Sequence, residues 1–335
     1  MFLKAIPLLS AMLVLGLSGA APAREITDMT GRTVTVPDQI ASVATLGSVP
    51  VINSFVFAAG KGALIANDLP PWARQSDRWA WQDVFAPQLA KSPRVEDAER
   101  NLALEELLTL DPDVALTFAK DTADLLGQHG IPTVVLRIQT PEDVKAGVAL
   151  VGDLLGNARI GADYAAWFDG TLAKVAAKVD GVAKRPKVLY LNPVNMTQPH
   201  LVAEWWIKAA GGDSVTDDGR SEETSALTTE VVLAADPDII IVGDPSHVAR
   251  LNEDANLSQL RAVRDGRVLV APMGAHIWAN RTVEQPLTVL WAASHFHPEL
   301  FPETEVIATV RDFYHNFFGT DLDDTQVRAI LGGGA

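Results

Sequence analysis

The side chains with the most chemical reach in this 335-residue chain are few, and they cluster in three stretches. NPVNMTQPH (192–200) ends on His200, EWW (204–206) holds Trp205, and GAHIWANR (274–281) carries His276, Trp278 and Arg281. An arginine fork grips two oxygens of a carboxylate or other anion at once. An imidazole either hydrogen-bonds a ligand or completes a metal's coordination sphere. Tryptophan is unusually frequent, eight against three Tyr, and Trp72 adds a further aromatic in NDLPPW (67–72). Aromatic walls with a few polar groups suit a bulky, flat or amphipathic ligand. Ser48, just after an apolar run, is one more polar candidate.

These groups make a binding site better than a reaction centre. G-x-S-x-G, H-E-x-x-H and the phosphate-cradling G-x-x-x-x-G-K-[ST] are all absent. Zero Cys excludes disulfides, thiolate metal sites and Cys nucleophiles together. HFHP (295–298) holds two histidines, but no acid or third His stands at ligand spacing, so it is read as a helix end. The reading is non-enzymatic, without a resident cofactor. The formal charge of −15 opposes nucleic acid as a partner.

Residues 1–23 have one Lys, an apolar run and small residues ending Ala21-Pro22-Ala23, the layout of a secretory signal peptide. Cleavage near Ala23 leaves no Cys to carry a lipid, so the expected product is free in the periplasm. Its charge moves from −15 to −16, because one Lys and no acid leave.

Short β-branched runs alternate with helical patterns, the mark of α/β layers. Strands are expected at 42–47, 63–67, 114–118, 133–138, 187–192, 238–243 and 267–272. One phrase is written twice, LEELLTLDPDVAL (104–116) and TEVVLAADPDIII (229–241). Each copy predicts a short helix stopped before proline, followed by a buried strand. Two such units imply two lobes whose ligand-binding edges lie at the C-terminal ends of the strands. Residues 141–181 lack strand pattern and predict helices, with Thr140 as N-cap and Pro141 at the first turn. Connecting helices at 141–183, with a strut over 158–181, would join a lobe at 24–140 to one at 184–335 that includes C-terminal helices.

Export, paired α/β lobes, a helical strut and the duplicated phrase together resemble the periplasmic substrate-binding proteins of ABC importers for iron–siderophore complexes and vitamin B12, the class III, helical-backbone type. REITDMTGRTVTVP (24–37) and LSQLRAVRDGRVLVAPMGAHIW (257–278) are similar to that family's opening and closing segments. The resemblance implies two Rossmann-like lobes with parallel sheets, a long rigid helix between them and a ligand cleft. It implies a monomer that delivers a metal chelate to a permease and its ATPase. A ferric siderophore leads, with a corrinoid or a nickel or other metal chelate as alternatives; a ligand sensor or an enzyme is the remoter reading. It also gives Glu105 and Glu230 a role, as the acidic residues that dock the permease. Ser48, Trp72, His200, Trp205, His276, Trp278 and Arg281 are the ligand candidates, with no direct metal ligand beyond His200 or His276. The three Tyr fall on helix or strand patterns, which disfavours haem.

Overall fold

The computed structural model describes residues 22–334; the expected signal segment lies outside these, apart from its last two residues. Strands β1 (Ala23–Thr27) and β2 (Thr33–Pro37) form an antiparallel hairpin. The first lobe then runs β3 (Val43–Thr45), α1 (Val49–Ala58), α2 (Pro71–Arg74), α3 (Ala80–Phe85), α4 (Leu104–Leu110), β4 (Val114–Thr117), α5 (Lys120–Gln128) and β5 (Thr133–Val135). Its sheet is parallel, in the order β3-β4-β5. Helices α6 (Pro141–Leu154) and α7 (Ile160–Val179) follow without a strand.

The second lobe comprises β6 (Lys187–Tyr190), β7 (Thr197–Gln198), α8 (His200–Ala209), β8 (Asp213–Ser214), β9 (Ser225–Ala226), α9 (Thr229–Ala235), β10 (Ile239–Val242), α10 (Ser246–Glu253), α11 (Arg261–Arg264) and β11 (Val268–Val270). Its main sheet is parallel, β11-β10-β6-β8. Helices α12 (Gln285–Phe296), α13 (Glu303–Phe313) and α14 (Asp324–Leu331) close the chain. The architecture is the α/β pair of parallel-sheet lobes that the pattern predicted.

The duplicated phrase builds the same device twice. Asp111 and Asp236 end α4 and α9 in the left-handed region, at φ 48° and 39°. A residue before proline avoids the right-handed helical region, and Asp is one of the few non-glycine residues that enters the left-handed one. The second Asp of each copy then pins a neighbouring strand. Asp113 accepts from the amides of Ala41 and Ser42 at 2.7 and 3.0 Å, just before β3; Asp238 accepts from the amide of Lys187, the first residue of β6, at 2.9 Å.

The strand expected at 63–67 is instead a 3-10 turn, Gly62–Leu64, and a single bridge from Ile65 to Val43. The reason lies in Asn67. Its side-chain amide accepts from Thr45 N at 2.8 Å and donates to Thr45 O at 3.0 Å, doing what a backbone strand would have done.

The strut is two helices. Thr140 and Asp143 form a reciprocal capping box at the start of α6. Helix α7 spans 20 residues, about 30 Å. A Cβ on Gly161 would stand 2.6 Å from Ala149, so glycine there lets the two helices approach closely. One buried apolar cluster runs through both lobes and the strut; each sheet has a smaller cluster on its other face. The C-terminal segment reaches back to the first lobe, where Phe318 packs on Phe57 and Phe85.

Candidate functional site

The C-terminal edge of the second sheet opens on a cavity of about 480 Å³. From the second lobe it is lined by Tyr190 at the end of β6, Asn192 beyond it, and Gly243, Asp244 and His247 after β10. From the first lobe Arg78 enters, carried on the short turn Asp77–Trp79 between α2 and α3. Its Nη1 donates to Asp244 Oδ2 at 2.8 Å, and its Nη2 donates to Gly243 O. This is an ion pair across the lobes.

Asp244 is held on its other oxygen by Ser246, whose amide and hydroxyl donate at 2.9 and 2.6 Å. Burial pushes its carboxyl up, but Ser246 and the nearby Arg78 outweigh burial and leave it below the usual range. Burial pushes His247 down, against the pull of Asp244, so its ring is neutral at pH 7. Two buried atoms here have no hydrogen-bond partner among the described residues: Arg78 Nε and His247 Nδ1. Buried polar groups are nearly always paired, and both of these orphans belong to residues that line the same cavity.

An aromatic ladder stands beside the cavity. Trp72 meets Trp79 edge-on at 5.5 Å, and Trp79 meets His276 at 5.3 Å, crossing from the first lobe to the second. The Arg100 guanidinium lies 4.9 Å over Trp72. Burial lowers His276 to about 4, so it is neutral, with Nδ1 placed 3.3 Å from Ile277 O.

The sequence candidates separate here. Trp72 and His276 are in the ladder. Ser48 is exposed at the N-cap of α1, on the cleft edge of β3. Arg281 spans the lobes but is already engaged, donating to Gln139 O at 3.1 Å and pairing with Glu223. Trp278 packs away from the cavity: it is fully buried, its Nε1 3.3 Å from Tyr314 OH and its carbonyl bonded to Thr288. Trp205 stacks on Phe168 of the strut. His200 opens α8, and its side chain lies outside what is described. Glu105 and Glu230 are exposed in the first turns of α4 and α9. Both histidines of HFHP have backbone carbonyl partners, Trp291 and Gly211. Among the described residues no group of three or more His, Cys, Asp or Glu could hold a metal ion.

Arg78, Asp244, His247 and Tyr190 were missed. GDPSH (243–247) overlaps the end of the strand expected at 238–243, but no spacing in the sequence singles out its Asp and His. Tyr190, read as an ordinary strand residue, is the last of β6 and so faces the edge. A larger cavity, about 760 Å³, lies between α12, α13, α14 and the start of β11. It is mostly apolar and sits at the opposite end of the second sheet, so the strand-end cavity is the functional candidate.

Residues 68–273 match the periplasmic binding protein family. A periplasmic solute binding protein from Veillonella parvula DSM 2008 has the same fold, with a TM-score of 0.80 at 27% identity over 92% of this chain and 97% of that one. The molybdate-binding protein MolA of Haemophilus influenzae is 24% identical over 93% of this chain and 96% of its own. Its molybdate-bound structure has a TM-score of 0.77 over 90% of this chain and 99% of that one, at 22% identity. The cobalamin-binding protein of Halobacterium salinarum is 31% identical over 147 residues, 42% of this chain and 40% of its own. The two-lobed fold and the family match agree: this chain belongs to the periplasmic binding protein family, whose members are solute-binding proteins of ABC transporters.

Proposed function

We propose that the cargo is a compact, oxygen-rich metal species, with a metal oxyanion of the molybdate type first. The observation that carries this is the pair of orphaned nitrogens, Arg78 Nε and His247 Nδ1, on two residues that line a cavity of about 480 Å³. The matched length of the molybdate-binding relative supports it. In this reading the anion takes Arg78 from Asp244, which keeps its two bonds from Ser246 when it lets go. Charge-assisted bonds to the guanidinium then hold the oxygens.

A bulkier chelate is the second reading, favoured by the Trp72–Trp79–His276 ladder and by the local match to the cobalamin-binding protein. The ferric siderophore implied by the sequence resemblance belongs to this class. Titration with molybdate, tungstate, sulfate, a ferric hydroxamate and cobalamin, followed by tryptophan fluorescence and calorimetry, separates the two. Under the first reading Arg78→Ala weakens molybdate by about 100-fold or more, and Asp244→Asn tightens it, because a competing charge is gone. Binding of cobalamin or the ferric complex alone, indifferent to Asp244→Asn, would replace the first reading with the second.

The exposed pair Glu105 and Glu230 is proposed to dock the permease, one on each lobe. Charge reversal at both should abolish uptake and leave cargo affinity intact. Loss of affinity in the purified double variant would remove that role.

A further inference from the structure

We infer that Gln82 is a positioning residue that sets the spacing of the two lobes, through a buried hydrogen-bonded relay that neither cargo nor solvent touches. The relay starts at Thr45, the last residue of β3 and hence the cleft edge of the first sheet. Thr45 Oγ1 donates to Asn53 Oδ1 at 2.7 Å, and Asn53 Nδ2 donates to Gln82 Oε1 at 2.8 Å. Gln82 Nε2 donates to Ala275 O at 2.6 Å and to Pro50 O at 3.0 Å. Ala275 N in turn donates to Glu284 Oε1 at 2.8 Å, and Tyr314 OH donates to the same oxygen at 2.6 Å. The other oxygen, Oε2, accepts from His276 N and Thr282 Oγ1, both at 3.1 Å. Thr45, Asn53, Gln82, Ala275, Glu284 and Tyr314 are all fully buried.

The direction of the chain is forced. Two carbonyls face Gln82 Nε2, and carbonyls only accept, so Gln82 Oε1 must face a donor. That fixes Asn53 with its nitrogen toward Gln82 and its oxygen toward the Thr45 hydroxyl. Neither amide can flip alone without setting acceptor against acceptor. At the far end Glu284 collects four neutral donors, two of them backbone amides of the loop that carries His276 and Arg281. Gly274 belongs to the same fit: a Cβ there would stand 1.9 Å from Tyr314 Oη and 2.2 Å from Glu284 Oε1. The first sheet's edge and the second lobe's cleft loop are thus tied through Gln82, with a longer contact beside it from Thr282 Oγ1 to Ser54 Oγ at 3.5 Å. The width of the cleft follows from that tie, whatever the cargo is.

The chain has no Cys, so spin labels can be placed at will. Glu106→Cys on α4 and Glu253→Cys on α10, both exposed and one on each lobe, give an inter-lobe distance by pulsed electron resonance. In the mature protein without added cargo, Gln82→Met should broaden and shift that distance distribution. Amide exchange at Ala275 and His276 should rise. Val263→Ala, in the outer cluster of the second lobe, serves as the control: it should lower the melting temperature and leave the distance unmoved. A Gln82→Met protein that folds with the parent distribution overturns the inference. If that variant does not fold, Glu284→Gln decides by the same measurement, with an unchanged distribution again counting against it.

Discussion

Behind the cleft the lobes are joined by fully buried groups; in front they are joined by charged side chains that stay partly in water. The rear seam runs through Asn53, Gln82, Ala275 and Glu284, all without exposure. The front seam is Arg78 with Asp244, whose side chains keep 23% and 31% of their surface, and Arg281 with Glu223 and Gln139. The difference is one of exchangeability. A buried polar group that loses its partner has no water to turn to, so each member of the rear seam is costly to remove. A partly hydrated ion pair has alternatives, so its net contribution is small and a ligand oxygen can take over one of its members. One seam holds geometry and the other is free to trade partners, which is the division a binding cleft with a preformed shape needs.

Urea unfolding should show the contrast most strongly at Glu284. Glu284→Ala strands two backbone amides and the hydroxyls of Thr282 and Tyr314, and should cost on the order of 3 kcal/mol or more. A loss below that of an ordinary surface substitution would mean that water replaces the carboxylate and the rear seam is not dry.

Acid should sharpen the comparison next. His276 sits beside both seams, and burial lowers it to about 4 from an ordinary value near 6.5. Between those values the unfolded chain takes up a proton that the folded chain refuses. Stability from this residue is therefore full above pH 6.5 and is lost as pH falls towards about 4, by at most about 3 kcal/mol. His247 and His295, also lowered by burial, act in the same direction. Glu284 and Glu96, raised by burial, act in the opposite one and favour the fold as pH falls. Stability measured from pH 7.5 to 4.5 should fall less steeply in His276→Phe than in the parent; equal slopes would place the titration elsewhere.

Arg78→Ala, by contrast, should cost less than about 1 kcal/mol of stability, since the pair is partly hydrated. The same variant is the one expected to lose the oxyanion. A large stability loss would make the front seam structural, and Asp244 would then be no ligand competitor.

The sequence carried the scaffold further than the site. Strand runs such as DIIIV and the helix stop at Asp-Pro are local signals, and β4, β10, α4 and α9 all lie where those signals put them. Residues 63–67 had the composition of a strand, but Asn67 supplies the pairing from its side chain, and composition does not record which end of a residue makes a bond. Trp278 stood among polar neighbours that suggested a cleft. Its surroundings are set by Tyr314, 36 positions later, and by Thr288, which no local pattern announces. Arg78 was invisible for the same reason, because its partner Asp244 is 166 residues away.

The smallest effect expected concerns the duplicated phrase, and it tests whether the two copies are equivalent in energy as well as in shape. Asp111 and Asp236 share the left-handed conformation, where Gly avoids the Cβ clash but adds freedom to the unfolded chain. Those two effects oppose each other and should be alike in both lobes. The side chains differ. Asp236 Oδ1 accepts from the amide of Arg261 at 3.1 Å and Oδ2 from its Nε at 2.5 Å, which lowers its carboxyl below the usual range; Asp111 has no such contact with Arg261. Asp236→Gly should therefore be less stable than Asp111→Gly by about 0.5–1 kcal/mol at low salt, shrinking as salt screens the exposed ion pair. Equal losses would show that the backbone turn alone sets the stability of both copies. A difference that survives high salt would instead assign it to the hydrogen bond from the Arg261 amide, which salt does not screen.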